Sequence, residues 1–530
     1  MLTHLYSIFR AVLLSVLVSS LVACSGDDNN PQTTNNPNTP NTQGSNTLPV
    51  ASAGIDFETK ENSEVVLDGA ASKISEGSIT RYEWTQIDNG SPTVTMTKAL
   101  TPQVTFQAPE IDSDITLEFQ LTVTGNNGKT HSDTISVIVF NTLPDWETHQ
   151  ANSSHTAYIP LTTHTKDFKK LWEWTLPGSS TSNFPYINPA VTFNGLLYIS
   201  EDGWNSIQKL YAIDELSGEI KWQYDFGAIA KLNQPAVSNN VVSITTSGDK
   251  DTFIWNFNAT TGELISKTPF STQWPHYLSP TIFEGTAYIN SGYYGGVISA
   301  YSTTDGALGW VSGSYGDNDM FTPAVDTNYI YQYSGTDLNV LNRTDGTLLF
   351  TILDPDPANI GYSHIGATVI GSMNNIISFS GDNSSGTAFS NAQGYYPRPL
   401  INFDLATKTV KWKSANSYLT HPATSKGKVY VATDSPLQLE VLDENDGSIL
   451  WTWVSQNADI TSYNRNIIVT DDLIFVSSDV AVHAISLDTK KEVWSYPEPG
   501  TLSISDNKIL YITTGASMSD GKLVAISLKL

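Results

Sequence analysis

From residue 145 to its end the chain repeats a short apolar strand of the form Leu-x-Ala-Ile-Asp, and a period of this kind constrains the architecture more than any other feature. The strand recurs eight times: LYAID (210–214), IWNFN (254–258), ISAYS (298–302), LNVLN (338–342), LINFD (400–404), LEVLD (439–443), VHAIS (482–486) and LVAIS (523–527). The first seven copies run into a turn, often Asp-Gly or Thr-Gly, and then into a strand with an aromatic near its start. Those aromatics are Trp222, Trp310, Phe350, Trp412, Trp451 and Trp494, with Ser266 holding the place in the second copy. The eighth copy ends at Leu530 with no such strand after it, but an unmatched one precedes the first repeat, in Leu171-Trp172-Glu173-Trp174-Thr175-Leu176. The spacing therefore predicts an eight-bladed β-propeller over 145–530, closed when the strand of Trp172 completes the last blade. Closure of that kind removes the exposed sheet edges that an open array would leave.

The rest of the chain divides by composition. Residues 48–142 carry short alternating runs (EVVLDGAAS, ITRYEWTQI, QVTFQAP, ITLEFQLTVTG, DTISVIVFN) separated by Gly, Asn and Pro, the spacing of a β-sandwich. Ile115, Leu117, Phe119, Leu121 and Val123 share one face of a half-buried strand. With 11% aromatic and only 15% charged residues, the chain is expected to be all-β, an Ig-like β-sandwich followed by the propeller. The formal charge of −26 repels phosphate backbones, so no nucleic acid is expected as a partner.

At the N-terminus the apolar run Ala11–Ala23 follows Arg10, too short for a permanent membrane span and of the length of a signal-peptide core. It ends in Leu21-Val22-Ala23-Cys24, and Cys24 is the one cysteine of the chain. This resembles a bacterial lipobox, which implies a signal peptide over 1–23, acylation of Cys24 and anchorage in the lipid bilayer; Ser25 in the next position favours the outer membrane. The alternative is an ordinary secretory signal with an incidental Cys. From Ser25 to Thr47 no apolar side chain occurs, so residues 24–47 read as a lipidated Cys on a flexible tether of roughly 25 Å r.m.s. reach.

Two further resemblances follow from the residues quoted. The 48–142 segment, with PVASAG, the LDGAAS turn, Ile79–Gln86 around Trp84, and Phe106-Gln107-Ala108-Pro109, is similar to PKD-type Ig-like domains, which implies a spacer or adhesion module with Trp84 in its core. The propeller strands resemble the PQQ-type repeat of quinoproteins, and Trp146–Pro160 looks like the lead-in segment of that family. That resemblance implies either of two functions. Quinoprotein dehydrogenases are enzymes, and many of the alcohol-oxidising ones stack pyrroloquinoline quinone on an adjacent-Cys disulfide, which Cys24 alone cannot form. The propeller lipoproteins of the outer-membrane β-barrel assembly machinery (the BamB-like group) are non-enzymatic scaffolds. The sequence favours a non-enzymatic scaffold for envelope or extracellular protein partners, or glycan, with no cofactor. A quinone-dependent dehydrogenase or an assembly factor is the alternative.

Tight Gly-bearing turns are expected on one side of the propeller, where strands A and B and strands C and D of each blade connect. The B–C and D–A loops, on the other side, are irregular. They hold Gly292-Tyr293-Tyr294-Gly295-Gly296 and a long stretch from Asp382 to Pro399 with Tyr395, Tyr396 and Arg398. Loops of that length are uncommon without a purpose, and Tyr and Arg anchor interfaces well, so these five residues are the expected partner contacts. A lineage-specific insertion without a partner is the alternative. Asn188, Gln234, Ser279, Thr322 and His421 precede inner strands and are expected to line a wet channel. His276, His364 and His421 belong to different blades and show no ligand spacing, so no metal is expected among them.

Overall fold

The computed structural model describes residues 47–111, 114–163, 165–176, 186–248, 252–272, 279–292, 296–315, 322–334, 336–355, 367–380, 398–514 and 521–528. The lipobox with Cys24 and all but the last residue of the tether lie outside the described residues.

Residues 57–140 form two facing sheets. One pairs Phe57–Lys60, Thr130–Phe140, Ile115–Gly125 and Ile79–Ile87 in that order, and the other pairs Glu64–Asp68 with Gln103–Gln107. The alternation seen in ITLEFQLTV becomes burial on one face, where Leu117, Phe119, Leu121 and Val123 are all buried. Trp84 lies in the same core, and the Phe106 and Phe119 rings meet across the sheets at 4.9 Å. The segment is an Ig-like sandwich.

Beyond it, the described residues form eight antiparallel sheets in succession. The first runs Val191–Phe193, Leu196–Asp202, Ser206–Asp214 and Ile220–Ile229, which serve as strands A to D. The last is built from Thr501–Ile504, Ile509–Thr514, Lys522–Ser527 and, as its strand D, Lys169–Thr175 from the start of the domain. The chain is thus an all-β protein whose propeller is closed by an N-terminal strand. Its B and C strands are buried on both faces, as in Ile254, Trp255, Asn256 and Phe257, because each sheet packs against its two neighbours. Each fully buried aliphatic or aromatic side chain contributes about 1.5–3 kcal/mol.

Every D strand sits in the same register. Trp172 lies opposite Ala525, Trp222 opposite Ala212, Trp310 opposite Ala300, Trp412 opposite Asn402 and Trp494 opposite Ala484, and Ser266 takes that place opposite Asn256. A register shift follows one step along in each of the eight sheets, a bulge that turns the aromatic toward the next sheet. The indole N–H of Trp222 donates to Ala259 O at 2.7 Å, and that of Trp412 to Glu444 O at 3.0 Å, each in the C–D turn of the following sheet. The A–B and C–D turns of a sheet touch: Glu215 N–H donates to Gly195 O, Thr303 N–H to Gly285 O and Glu444 N–H to Gly427 O. They therefore share one side of the ring. On that side Lys508, in the last A–B turn, pairs with Asp114 of the sandwich at 3.2 Å.

Candidate functional site

The segment between sandwich and propeller does not simply connect them. Residues 145–161 pass around the inner strands and bind seven of the eight sheets through backbone or side-chain hydrogen bonds. Thr192 N–H donates to Trp146 O, Val237 to Glu147, Val325 to Ser153, Ile370 to Ser154, Thr424 to Thr156 and Val469 to Ala157, all at 2.7–2.9 Å. In the third sheet Thr148 Oγ1 donates to Pro280 O at 2.8 Å. Gln150, Ala151, His155 and Ala157 adopt positive φ without being glycine, a strained path that holds only because the surrounding strands over-determine it. Since the donors on the inner strands lie near the A–B turns, this leader crosses the ring on the side that faces the sandwich.

The residues expected to line a wet channel are all buried, and the chain itself meets them. Asn188 Nδ2 bridges the first two sheets, to Ser200 Oγ at 2.9 Å and Leu232 O at 3.1 Å. Gln234 bonds the ring of His149. The Thr322 and Thr281 hydroxyls bond each other, and Thr281 Oγ1 lies 3.2 Å from His155 Nε2. His421 lies edge-on to His149, ring centroids 4.8 Å apart, and His149 stands 5.5 Å from His155. Ser279 is equally buried, one residue before the Pro280 carbonyl that the leader engages. At this level the leader lies among the residues expected to line the channel. The sequence shows this lead-in segment by resemblance but not its path among the inner strands, because most of its contacts are main-chain bonds between segments up to 312 residues apart.

Burial drives the pKa of His149 well below its ordinary value, with His421 and His155 adding to the effect. It brings His155 down to about 4 and His421, helped by His155, to about 3. All three rings are therefore neutral at pH 7. His276 and His364 lie outside the described residues.

Of the expected partner contacts, Tyr293, Tyr294, Tyr395 and Tyr396 lie outside the described residues. Arg398 does not sit on a loop surface. It opens the C strand Arg398–Asp404 opposite Tyr418 and is only 7% exposed, because the strand begins one residue before Pro399. The B–C/D–A side has another feature. Trp204 and Ile207, at the B–C connection of the first sheet, are each 60% exposed. Hydrogen bonds pin their connection. Fully buried Gln208 accepts from Gly203 N–H at 3.2 Å and Leu232 N–H at 2.9 Å and donates to Ile229 O at 3.0 Å, while Asn205 N–H reaches Ala230 O. Lys231 and Asp202 form a nearly buried ion pair beneath it. A large apolar side chain held out on a pinned loop loses little entropy on binding.

Residues 53–139 match a family model described as a PKD domain, and residues 383–529 match that of outer membrane protein assembly factor BamB. The chain thus carries a PKD-like domain and PQQ-like propeller repeats. No curated protein matches the sequence. Among solved structures it is similar to BamB from Moraxella catarrhalis, at 16% identity over 68% of this chain and 99% of that one, TM-score 0.49. It is also similar to the quinohemoprotein alcohol dehydrogenase ADHIIG from Pseudomonas putida HK5, at 13% identity over 73% and 80%, TM-score 0.49. A third such structure is the computationally designed Ika8 protein, at 12% identity over 65% and 97%, TM-score 0.46.

Proposed function

We propose that the chain is a non-enzymatic scaffold of the cell envelope, held to the outer membrane through acylated Cys24 and a tether over 24–47. It would present the B–C/D–A side of its 145–530 propeller to a protein partner, with the 48–142 domain as spacer. The match of residues 383–529 to a family described as an outer membrane protein assembly factor supports an envelope location and protein partners. The observation that carries the reading is the exposure of Trp204 and Ile207 on a hydrogen-bonded connection, on the side opposite the one where Lys508 meets the sandwich. Tyr293, Tyr294, Tyr395 and Tyr396, which in the sequence stand between the B and C strands of their sheets, would extend the proposed contact.

The test is a Trp204→Ala, Ile207→Ala double variant of the full chain. Both side chains are exposed, so the unfolding midpoint stays within about 0.5 kcal/mol of the parent. Binding to the partner captured from outer-membrane extract falls at least about tenfold, the scale of one interface anchor. Unchanged capture rejects the assigned face. Co-purification of outer-membrane assembly subunits marks the assembly-factor form of the reading, and an extracellular ligand marks the adhesion form. Stoichiometric binding of pyrroloquinoline quinone would overturn the non-enzymatic reading.

A further inference from the structure

The seam where the eighth sheet meets the first holds a group of side chains that partner binding does not use. Glu215 follows the Asp of the first Leu-x-Ala-Ile-Asp copy, and Glu444 follows that of the sixth. Both are fully buried, and the main-chain oxygen of each accepts an indole N–H from the preceding sheet, Trp172 at 2.8 Å and Trp412 at 3.0 Å. Their carboxylates meet different neighbours. That of Glu444 accepts from the Ser372 hydroxyl at 2.8 Å and from Met373 N–H at 3.0 Å, both in the A–B turn of the sheet before it. In that turn Gly371 N–H donates to Asn375 O, and in the eighth sheet Ser505 N–H donates to Ile509 O. The matching bonds put Asp506 where Ser372 stands, so at the seam a donor hydroxyl is replaced by an anion.

The consequence shows in the bonds of Glu215. Asn507 Nδ2 reaches its Oε2 at 2.9 Å, but no well-aligned hydrogen bond reaches its buried Oε1. The fully buried hydroxyls of Ser505 and Tyr511 lie beside it, and neither makes a well-aligned hydrogen bond. Asp145 joins from the leader, held by Asn194 N–H at 3.0 Å and Thr192 Oγ1 at 3.2 Å. Oxygens of Asp145, Glu215 and Asp506 lie within 4.8 Å of one another. Three carboxylates this close, Glu215 fully buried and the other two partly buried, call for a counter-charge or a proton. Burial pushes Glu215 up to about 8 and Asp145 up to about 6, and the charge of Asp506 acts on both in the same direction. Lys60 of the sandwich is the cation that acts on Asp145.

We propose that Asp145, Glu215 and Asp506 bind a calcium ion at the seam of the ring, with the hydroxyls of Ser505 and Tyr511 beside it. The donors are all oxygen, mixed in type, and come from three chain segments. That suits the larger, geometrically tolerant ion better than magnesium, which keeps its waters and demands an octahedron. Bound there, the ion would tie the leader, the first sheet and the last sheet together.

The test uses the full chain in detergent with Tb³⁺ as the probe, followed by Ca²⁺. The Trp172 indole lies against Glu215 and the Tyr511 ring 5.9 Å from it, so excitation of these rings should sensitise Tb³⁺ emission at the site. Expected are sensitised emission displaced by Ca²⁺ ahead of Mg²⁺, and a higher unfolding temperature in Ca²⁺ than in EDTA. Asp506→Ser restores the residue found at the sister seam. It should lose both the emission and the Ca²⁺ shift while unfolding in EDTA no lower than the parent; Asp506→Asn is the second variant should the first fail to fold. Absence of emission and of any Ca²⁺ shift in the parent overturns the proposal, as does an undiminished Ca²⁺ shift in the Asp506 variant that folds.

Discussion

At Gly346 two independent constraints meet in one residue. Its φ is +71°, and a Cβ placed there would stand 2.3 Å from Cε3 of Trp310 in the preceding sheet. Gly427 has nearly the same backbone, φ +73°, with nothing within 4 Å of such a Cβ. Gly427→Ala should therefore cost only the left-handed penalty, about 1 kcal/mol, whereas Gly346→Ala adds overpacking and should cost about 2–4 kcal/mol. Urea unfolding midpoints of the two variants check the difference. At the second sheet, where Ser266 replaces the aromatic, hydrogen bonds take over: Asn256 Nδ2 reaches Ser302 O at 3.3 Å and Thr268 Oγ1 reaches Gly306 O at 2.7 Å. The buried histidines make a second residue-scale prediction. An unfolded histidine takes up its proton near pH 6.5, but folded His155 waits until about 4 and His421 until about 3. The unfolded state thus binds more protons between those values. Stability from these residues is complete above about pH 6.5 and is lost as pH falls toward 4. Thermal midpoints followed from pH 7.5 to 5 should decline, and decline less in His421→Gln.

Among the elements, the strand Lys169–Thr175 has the largest consequence for its length. Its pairing with Lys522–Ser527 covers what would otherwise be an open edge. Deleting residues 169–176 should leave a chain that self-associates, seen as a shift to larger species in size-exclusion chromatography; a monomer of unchanged stability would contradict the closure. This strand was readable from sequence because a phase error in a repeat is visible: one aromatic strand too many before the first copy and one too few after the last. Arg398 was not, since Pro399 reads as a loop residue and only the pairing partner Tyr418 reveals that the strand has begun. Trp204 lies in a B–C connection, a class of loop the sequence marks as irregular, yet nothing in Gly-Trp-Asn-Ser distinguishes an exposed indole from a core one. The fact that decides it is the buried Gln208 beneath. Glu215 reads as an ordinary turn acid for the same reason, its neighbours Asp145 and Asp506 being far away in sequence.

For the whole molecule, the order of sandwich, leader and ring determines which side is free. The Lys508–Asp114 pair is partly exposed on both partners, so it adds well under 1 kcal/mol and serves orientation more than stability. Lys508→Glu should leave the unfolding midpoint almost unchanged and broaden the distribution of distances between a label on the sandwich and one on the propeller, measured by double electron–electron resonance. The leader has a mechanical implication too. Tension that arrives through the last sandwich strand, Thr130–Phe140, enters the propeller at Asp145, where the leader begins its bonds to seven sheets. A pull on such a chain meets bonds to seven different sheets in succession, whereas a chain attached at an outer strand would load the rim of one sheet alone.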